Sequence, residues 1–199
     1  MTNETKTGKL SREELNRIRI LEEARRLFIE HQGPEGVNMH QIATGAGVGQ
    51  ATLYRRYTEM GDICIEIVTQ ECKPLFDELS DYLDCNSEMP PLDRLYYVIQ
   101  KFAEFLKTKS PWLCAVSRAI LGYRPMQTPL YQWMRDTCLS LFEEAKQGEE
   151  LSADVDIPYT VEALLSALHD IDFHLHDHGF SLERIVKGLD RIFIKGLKL

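Results

Sequence analysis

The segment Asn38–Tyr57, NMHQIATGAGVGQATLYRRY, carries side chains able to read a nucleic acid. From its second half Gln50, Thr52, Tyr54, Arg55 and Arg56 offer an amide, a hydroxyl, a phenol and two guanidiniums, with little apolar content between them. Amides and guanidiniums can pair with base edges, and hydroxyls and guanidiniums with phosphate oxygens, which is what a helix lying in a major groove needs. The plainer reading joins two surface helices through a turn and leaves Arg55 and Arg56 solvated. A second set comprises His169, His174, His176 and His178 with Asp170, Asp172 and Asp177. On a helix His174 and His178 share a face, as do Asp172 and His176, and imidazole with carboxylate suits zinc or nickel. Against a metal stands a polar helix end before Gly179, with no cysteine near in sequence.

Other chemistries find less support. Cys64, Cys72, Cys85, Cys114 and Cys138 form no CxxC pair, and none has a cationic neighbour pattern that would activate it. They read as reduced thiols, with a thiol switch through Cys64, Cys72, Cys114 or Cys138 as the alternative. There is no GxSxG, no phosphate loop and no HExxH, so an enzyme is not expected, nor is a cofactor. A helical adaptor without DNA binding remains a separate class.

The elements that must position these groups are helical. Ser11 with Glu14 makes a capping-box start, and Leu15, Ile18, Leu21, Ala24 and Phe28 follow at spacings of three and four until Gly33-Pro34. Asn38 with Gln41 repeats the cap before a short helix over residues 39–46. Gly47-Val48-Gly49 interrupts, and residues 50–57 resume. Ala43 suits a close helix crossing, Gly47 a left-handed helix end, and Ile42, Ala46, Val48 and Leu53 a small shared core. Further helices are expected over residues 62–83 with a kink or split at Pro74, then 91–109, 111–121 capped by Ser110, and 129–147 after Thr128. The last two are expected over 158–178 and 182–198, the latter capped by Ser181. No strand pair has a convincing turn, so an all-α chain of nine to ten helices is expected.

With 199 residues, 44% hydrophobic and 27% charged, the chain can bury a core. No apolar run approaches the ~18 residues of a membrane span, and the polar start lacks a secretory apolar region, so a soluble cytoplasmic protein is expected. The net charge of −8 is unevenly spread. Residues 1–57 hold nine basic and seven acidic residues, and residues 58–199 hold fourteen and twenty-four. Only the first part could approach a polyanion without penalty.

Ile20-Leu21, Ala24, Leu27-Phe28, Gly33, Val37, Ile42-Ala43, Ala46-Gly47-Val48, Thr52-Leu53-Tyr54 and Tyr57 together resemble the N-terminal domain of the TetR (tetracycline repressor) family. The match runs over roughly residues 17–68, with all its elements in order at family spacing. The resemblance implies a homodimeric regulator, usually a repressor, released from a palindromic double-stranded operator by a small effector. It places a DNA-binding helix-turn-helix domain in residues 1–60 and a ligand-binding and dimerisation domain in residues 61–199. By position Gln50, Ala51, Thr52, Tyr54 and Arg56 would face DNA with Arg55 nearby, and His40 could reach a base edge from the preceding helix. Tyr54 would touch a phosphate, whereas Tyr57 would pack inside. Met60 stands where the family often has a phosphate-binding lysine, leaving Arg55, Arg56 and helix N-termini to supply phosphate contacts. A modest salt dependence follows, unless Lys6, Lys9, Arg12, Arg17 and Arg19 compensate.

The C-terminal body resembles no particular subfamily. Its last two helices carry stripes of Val161, Leu164, Leu165, Leu168, Ile171 and Leu175, then Leu182, Ile185, Leu189, Ile192 and Phe193. By resemblance these form the homodimer interface; otherwise they pack within one chain. In the middle helices Phe102, Phe105, Trp112, Val116, Tyr123, Trp133 and Met134 are candidates to line an apolar ligand pocket, with Arg118 and His169 as its polar groups. A greasy or aromatic effector fits such a set better than a sugar. Metal sensing through the 169–178 cluster is the alternative on the same scaffold.

Overall fold

The computed structural model describes residues 11–108, 111–121 and 129–199, which form ten α-helices and no sheet. They are α1 (Arg12–Glu30), α2 (Met39–Gly45), α3 (Gln50–Arg56), α4 (Met60–Cys85), α5 (Pro91–Thr108), α6 (Pro111–Leu121), α7 (Pro129–Gln147), α8 (Ile157–His169), α9 (Ile171–His176) and α10 (Leu182–Asp190). No described helix is long and apolar enough to cross a membrane.

The chain divides into two compact units, one of residues 1–67 with 111–120 and one of residues 68–110 with 121–199. The first turns of α4 and the remote helix α6 both belong with the N-terminal helices, a grouping that contacts decide and sequence order does not show.

In the first unit the caps form as the residues dictate. The Ser11 side chain accepts from the Glu14 N–H, and Asn38 and Gln41 exchange a complete capping box. Each bond satisfies an amide that a helix start would otherwise leave without a partner. The apolar stripe of α1 (Ile20, Leu21, Ala24, Leu27 and Phe28) is buried. Gly33 approaches α6 so closely that a Cβ there would lie 2.9 Å from the Ala115 Cβ.

The second unit is built around α5 and α7, which pack against each other, with α8 on α7 and α9 and α10 on α5. Its core includes Leu79, Leu92, Leu95, Val98, Ile99, Phe142, Val161 and Leu164, all fully buried. Arg94 is 5% exposed, with its Nε donating to the Met89 carbonyl and a terminal nitrogen paired with Glu144, so its buried charge is compensated.

Three expectations are corrected. Pro74 does not split α4, which is continuous through an exposed proline between the buried Cys72 and Leu75. The helix expected over residues 158–178 is broken at Asp170, whose ψ of −5° closes α8 before α9 begins. Weak helix formers crowd the break, His169-Asp170-Ile171-Asp172, while the apolar spacing runs on across it and hides it from periodicity. The last helix leaves α geometry at Arg191 and turns through a π segment to Lys195. Beyond it the Ser152 N–H donates to the Leu197 carbonyl and the Leu199 N–H to the Glu150 carbonyl, which draws the terminus out of the helix. The proposed caps Ser110 and Thr128 lie outside the described residues.

Candidate nucleic-acid interface

The interface is built by a short core that turns polar residues outward. Ile42 and Ala43 are buried on α2, Ala46 is buried at its C-cap, and Leu53 is fully buried on α3. Gly47, with φ of +64°, takes the left-handed conformation that ends α2, and the Val48 N–H returns to the Ala43 carbonyl at 3.0 Å. With Leu53 and Tyr57 anchored inward, Gln50, Ala51, Tyr54, Arg55 and Arg56 are exposed and Thr52 is half-buried. His40 is exposed on α2, and its Nδ1 is paired with the Gln50 side-chain amide, so these two candidates act as one polar unit. Thr52, Arg55 and Arg56 also line a cleft of about 150 Å³ with Glu13, Asn16 and Ile20 of α1.

Tyr54 and Tyr57 separate as expected. Tyr54 is 51% exposed, whereas Tyr57 is 3% exposed and donates its hydroxyl to Glu66 Oε2 at 2.6 Å. Burial, followed by the Glu66 hydrogen bond, pushes the Tyr57 phenol up to about 12. Glu66 also pairs with Arg17 on α1. One carboxylate on α4 therefore ties α1 to the residue that caps α3, and the Arg56 guanidinium lies over the Tyr57 ring at 5.8 Å. Sequence reading missed Glu66, because its partners are 9 and 49 residues away.

Two expectations about phosphate contacts change. The start of α4 already holds an anion: Asp62 Oδ2 accepts from the Thr58 and Glu59 N–H groups at 2.8 and 3.2 Å. That helix N-terminus is thereby occupied by the chain's own carboxylate. Arg17 is engaged by Glu66 and Glu14, while Arg12 and Arg19 are exposed; Lys6 and Lys9 lie outside the described residues.

Residues 20–67 match the family described as "Bacterial regulatory proteins, tetR family". The HTH-type transcriptional regulator SAB2452 of Staphylococcus aureus (strain bovine RF122 / ET3-1) is 33% identical over 184 residues, covering 90% of this chain and 92% of that protein. The chain belongs to the TetR family of HTH-type transcriptional regulators. As such it is a DNA-binding regulator and not an enzyme. Its fold is shared by Thermus thermophilus FadR, a TetR family repressor solved with lauroyl-CoA, at 17% identity and a TM-score of 0.71, covering 90% of this chain and 94% of that one. It is shared too by NalD of Pseudomonas aeruginosa, secondary repressor of the MexAB-OprM multidrug efflux pump, at 20% identity and a TM-score of 0.66, covering 94% and 98%.

The ligand candidates are only partly gathered. Phe102, Met134 and His169 line one small void of about 10 Å³ with Tyr131, Leu165 and Leu168. Burial holds the His169 imidazole below its ordinary pKa, and its ring lies 5.8 Å from that of Tyr131. The Tyr131 hydroxyl pairs with Glu162, which also accepts from Arg135 Nε at 2.8 Å. Phe105 packs at the edge of the core. Trp133 turns elsewhere, 4.5 Å from the Phe76 ring, onto an open groove of about 570 Å³ that also exposes Asp84, Asp136 and Glu144. Trp112 and Val116 belong to α6 and so to the first unit. Tyr123 and the Arg118 side chain lie outside the described residues.

The interface stripes and the histidine cluster are also resolved. Val161, Leu164, Leu165, Leu168, Ile171, Ile185 and Leu189 are buried within the chain's own core, while Ile192 is 61% exposed. The 169–178 cluster divides: His169 faces the void, whereas His174 and His178 pair with each other. No group of three or more metal-binding side chains forms among the described residues. Cys64 and Cys138 are buried thiols, each pushed up to about 12 by burial, which opposes a thiolate switch there; Cys85 is exposed. The Cys114 side chain lies outside the described residues.

Proposed function

We propose that the chain is a cytoplasmic, homodimeric repressor, released from a palindromic operator by a small effector with a largely apolar body. The observation that carries the DNA part is the exposed polar row of α3 backed by the fully buried Leu53 and the anchored Tyr57. Gln50 and His40 would read base edges, Ala51 would meet a thymine methyl, and Tyr54, Arg55 and Arg56 would hold phosphates, with Thr52 at the edge. Residues 1–60 would bind DNA and residues 61–199 would bind effector and partner.

Two such helices must be paired to match two half-sites, so a dimer belongs to this reading. Because most of the expected stripes face inward, the partner surface on the last helices would be their outward residues, led by Tyr159 (73% exposed) and by Ile192 (61%), the member of the second stripe that faces out. The effector would enter at the void between Phe102, Met134 and Leu168. As it stands the void holds at most about one water. Binding therefore requires Phe102 and Met134, both adaptable side chains, to move aside. The Tyr131–Glu162–Arg135 group and His169 would meet the polar end of the effector. T. thermophilus FadR holds lauroyl-CoA, and an acyl chain of that kind suits this lining.

The test is selection of genomic fragments by the purified protein at moderate salt, followed by sedimentation of the recovered complex. A palindrome with half-sites one helical turn or a multiple apart, bound by an even number of chains, supports the reading. Recovery of fragments without two-fold symmetry, or by a monomer, overturns it.

A further inference from the structure

The corner between α9 and α10 carries a feature that DNA binding does not use. His174 and His178 stand one turn apart, and their Nδ1 atoms lie 3.3 Å apart. The corner is built to hold them so. Gly179, with φ of +64°, reverses the chain, and the Phe180 N–H donates to the His174 carbonyl at 2.8 Å. That bond folds the Phe180 ring onto both imidazoles, with centroids 5.6 Å from His174 and 5.7 Å from His178. Arg184, on the first turn of α10, in turn lies over the Phe180 ring at 4.1 Å. His178 is exposed and His174 half-buried, so the pair can be reached from solvent.

We propose that His174 and His178 form a two-imidazole site for a borderline divalent cation, zinc(II) first among them. Two Zn–N bonds of about 2.0–2.1 Å at a tetrahedral angle place their nitrogens about 3.3–3.4 Å apart, the spacing the pair already has. Without metal, one ring donates Nδ1–H to the Nδ1 of the other. Coordination needs that proton to pass through solvent to Nε2 of the same ring, so that each neutral imidazole keeps one proton and turns its Nδ1 lone pair to a common point. The two Zn–N bonds replace Zn–OH2 bonds of the hydrated ion, and the displaced waters pass to bulk solvent. Water completes the coordination shell, since no third described side chain joins the pair. The site stands apart from His169, which faces the core void.

The experiment is calorimetric titration of the full-length, tag-free protein with zinc chloride at about pH 7.5, with magnesium as a hard-cation control that imidazole does not favour. One saturable zinc site per chain is expected, with no heat from magnesium. His174→Gln and His178→Gln should each weaken zinc about ten-fold or more by removing the chelate, while His176→Gln, on the same short helix, should bind as the wild type does. Far-UV circular dichroism of each variant separates loss of a ligand from loss of fold, and a folded His178→Gln protein is the decisive sample. Equal zinc affinity in folded His178→Gln, equal loss in His176→Gln, or no saturable zinc site in the wild type overturns the proposal.

Discussion

Replacing Tyr57 by Phe removes one oxygen and leaves the ring that fills the small core. The hydroxyl donates to a carboxylate at 2.6 Å, a bond to a charged group. Such bonds are worth about 1.5–3 kcal/mol. Glu66 keeps Arg17 and its side chain is 22% exposed, so water recovers part of the loss and about 1–2 kcal/mol is expected. Trp112 lies in the first unit and Trp133 in the second, so a Trp133→Phe background leaves Trp112 as a reporter of the unit that contains Tyr57. In that background urea unfolding followed by tryptophan fluorescence should show Tyr57→Phe lowering the first unit's stability by that amount. The phenol is neutral in the fold and its pKa is raised to about 12. Its contribution is therefore complete below the unfolded value of about 10 and is lost as pH rises from there towards 12, so the gap between the two proteins should narrow over that window. Tyr54→Phe is the mirror case. At 51% exposure it should change stability by less than about 0.5 kcal/mol, yet weaken operator binding about five-fold per half-site through a lost phosphate bond. The reasoning fails if Tyr57→Phe leaves the Trp112 transition where it was, or if Tyr54→Phe shifts it as far.

Arg55→Ala with Arg56→Ala should lower the slope of log affinity against log salt by about 3–4 when two chains bind one operator, since each lost phosphate contact contributes about 0.9; an unchanged slope in fluorescence anisotropy would mean that neither arginine meets DNA. Burial lowers the pKa of His169, so its folded value lies below the unfolded value of about 6.5. The unfolded chain binds the proton first, and stability should drop as pH falls below about 6.5; His169→Gln should flatten that drop in urea midpoints read at Trp133. Gly33→Ala puts a Cβ 2.9 Å from the Ala115 Cβ at a φ of +154° that side chains rarely adopt, and should cost the first unit about 1–3 kcal/mol, read at Trp112.

What the sequence determined by itself was the local physics. The caps at Ser11, Asn38 and Ser181 were legible because each is completed within three residues. The outward row from Gln50 to Arg56 was legible because helical period and one buried leucine set which side chains face water. The family could be read for the same reason, since its signature lies in one contiguous stretch. Tertiary structure decided what needs a distant partner. Glu66 became the tie between Arg17 and Tyr57, and α6 joined the N-terminal unit through contacts that no spacing encodes. The stripe from Val161 to Leu168 looks the same whether it faces a second subunit or the chain's own α7, because an apolar period states that a face is buried and not against what. His174 and His178 were visible as an i,i+4 pair in sequence, but only the turn at Gly179 and the ring of Phe180 bring their nitrogens to a metal's spacing.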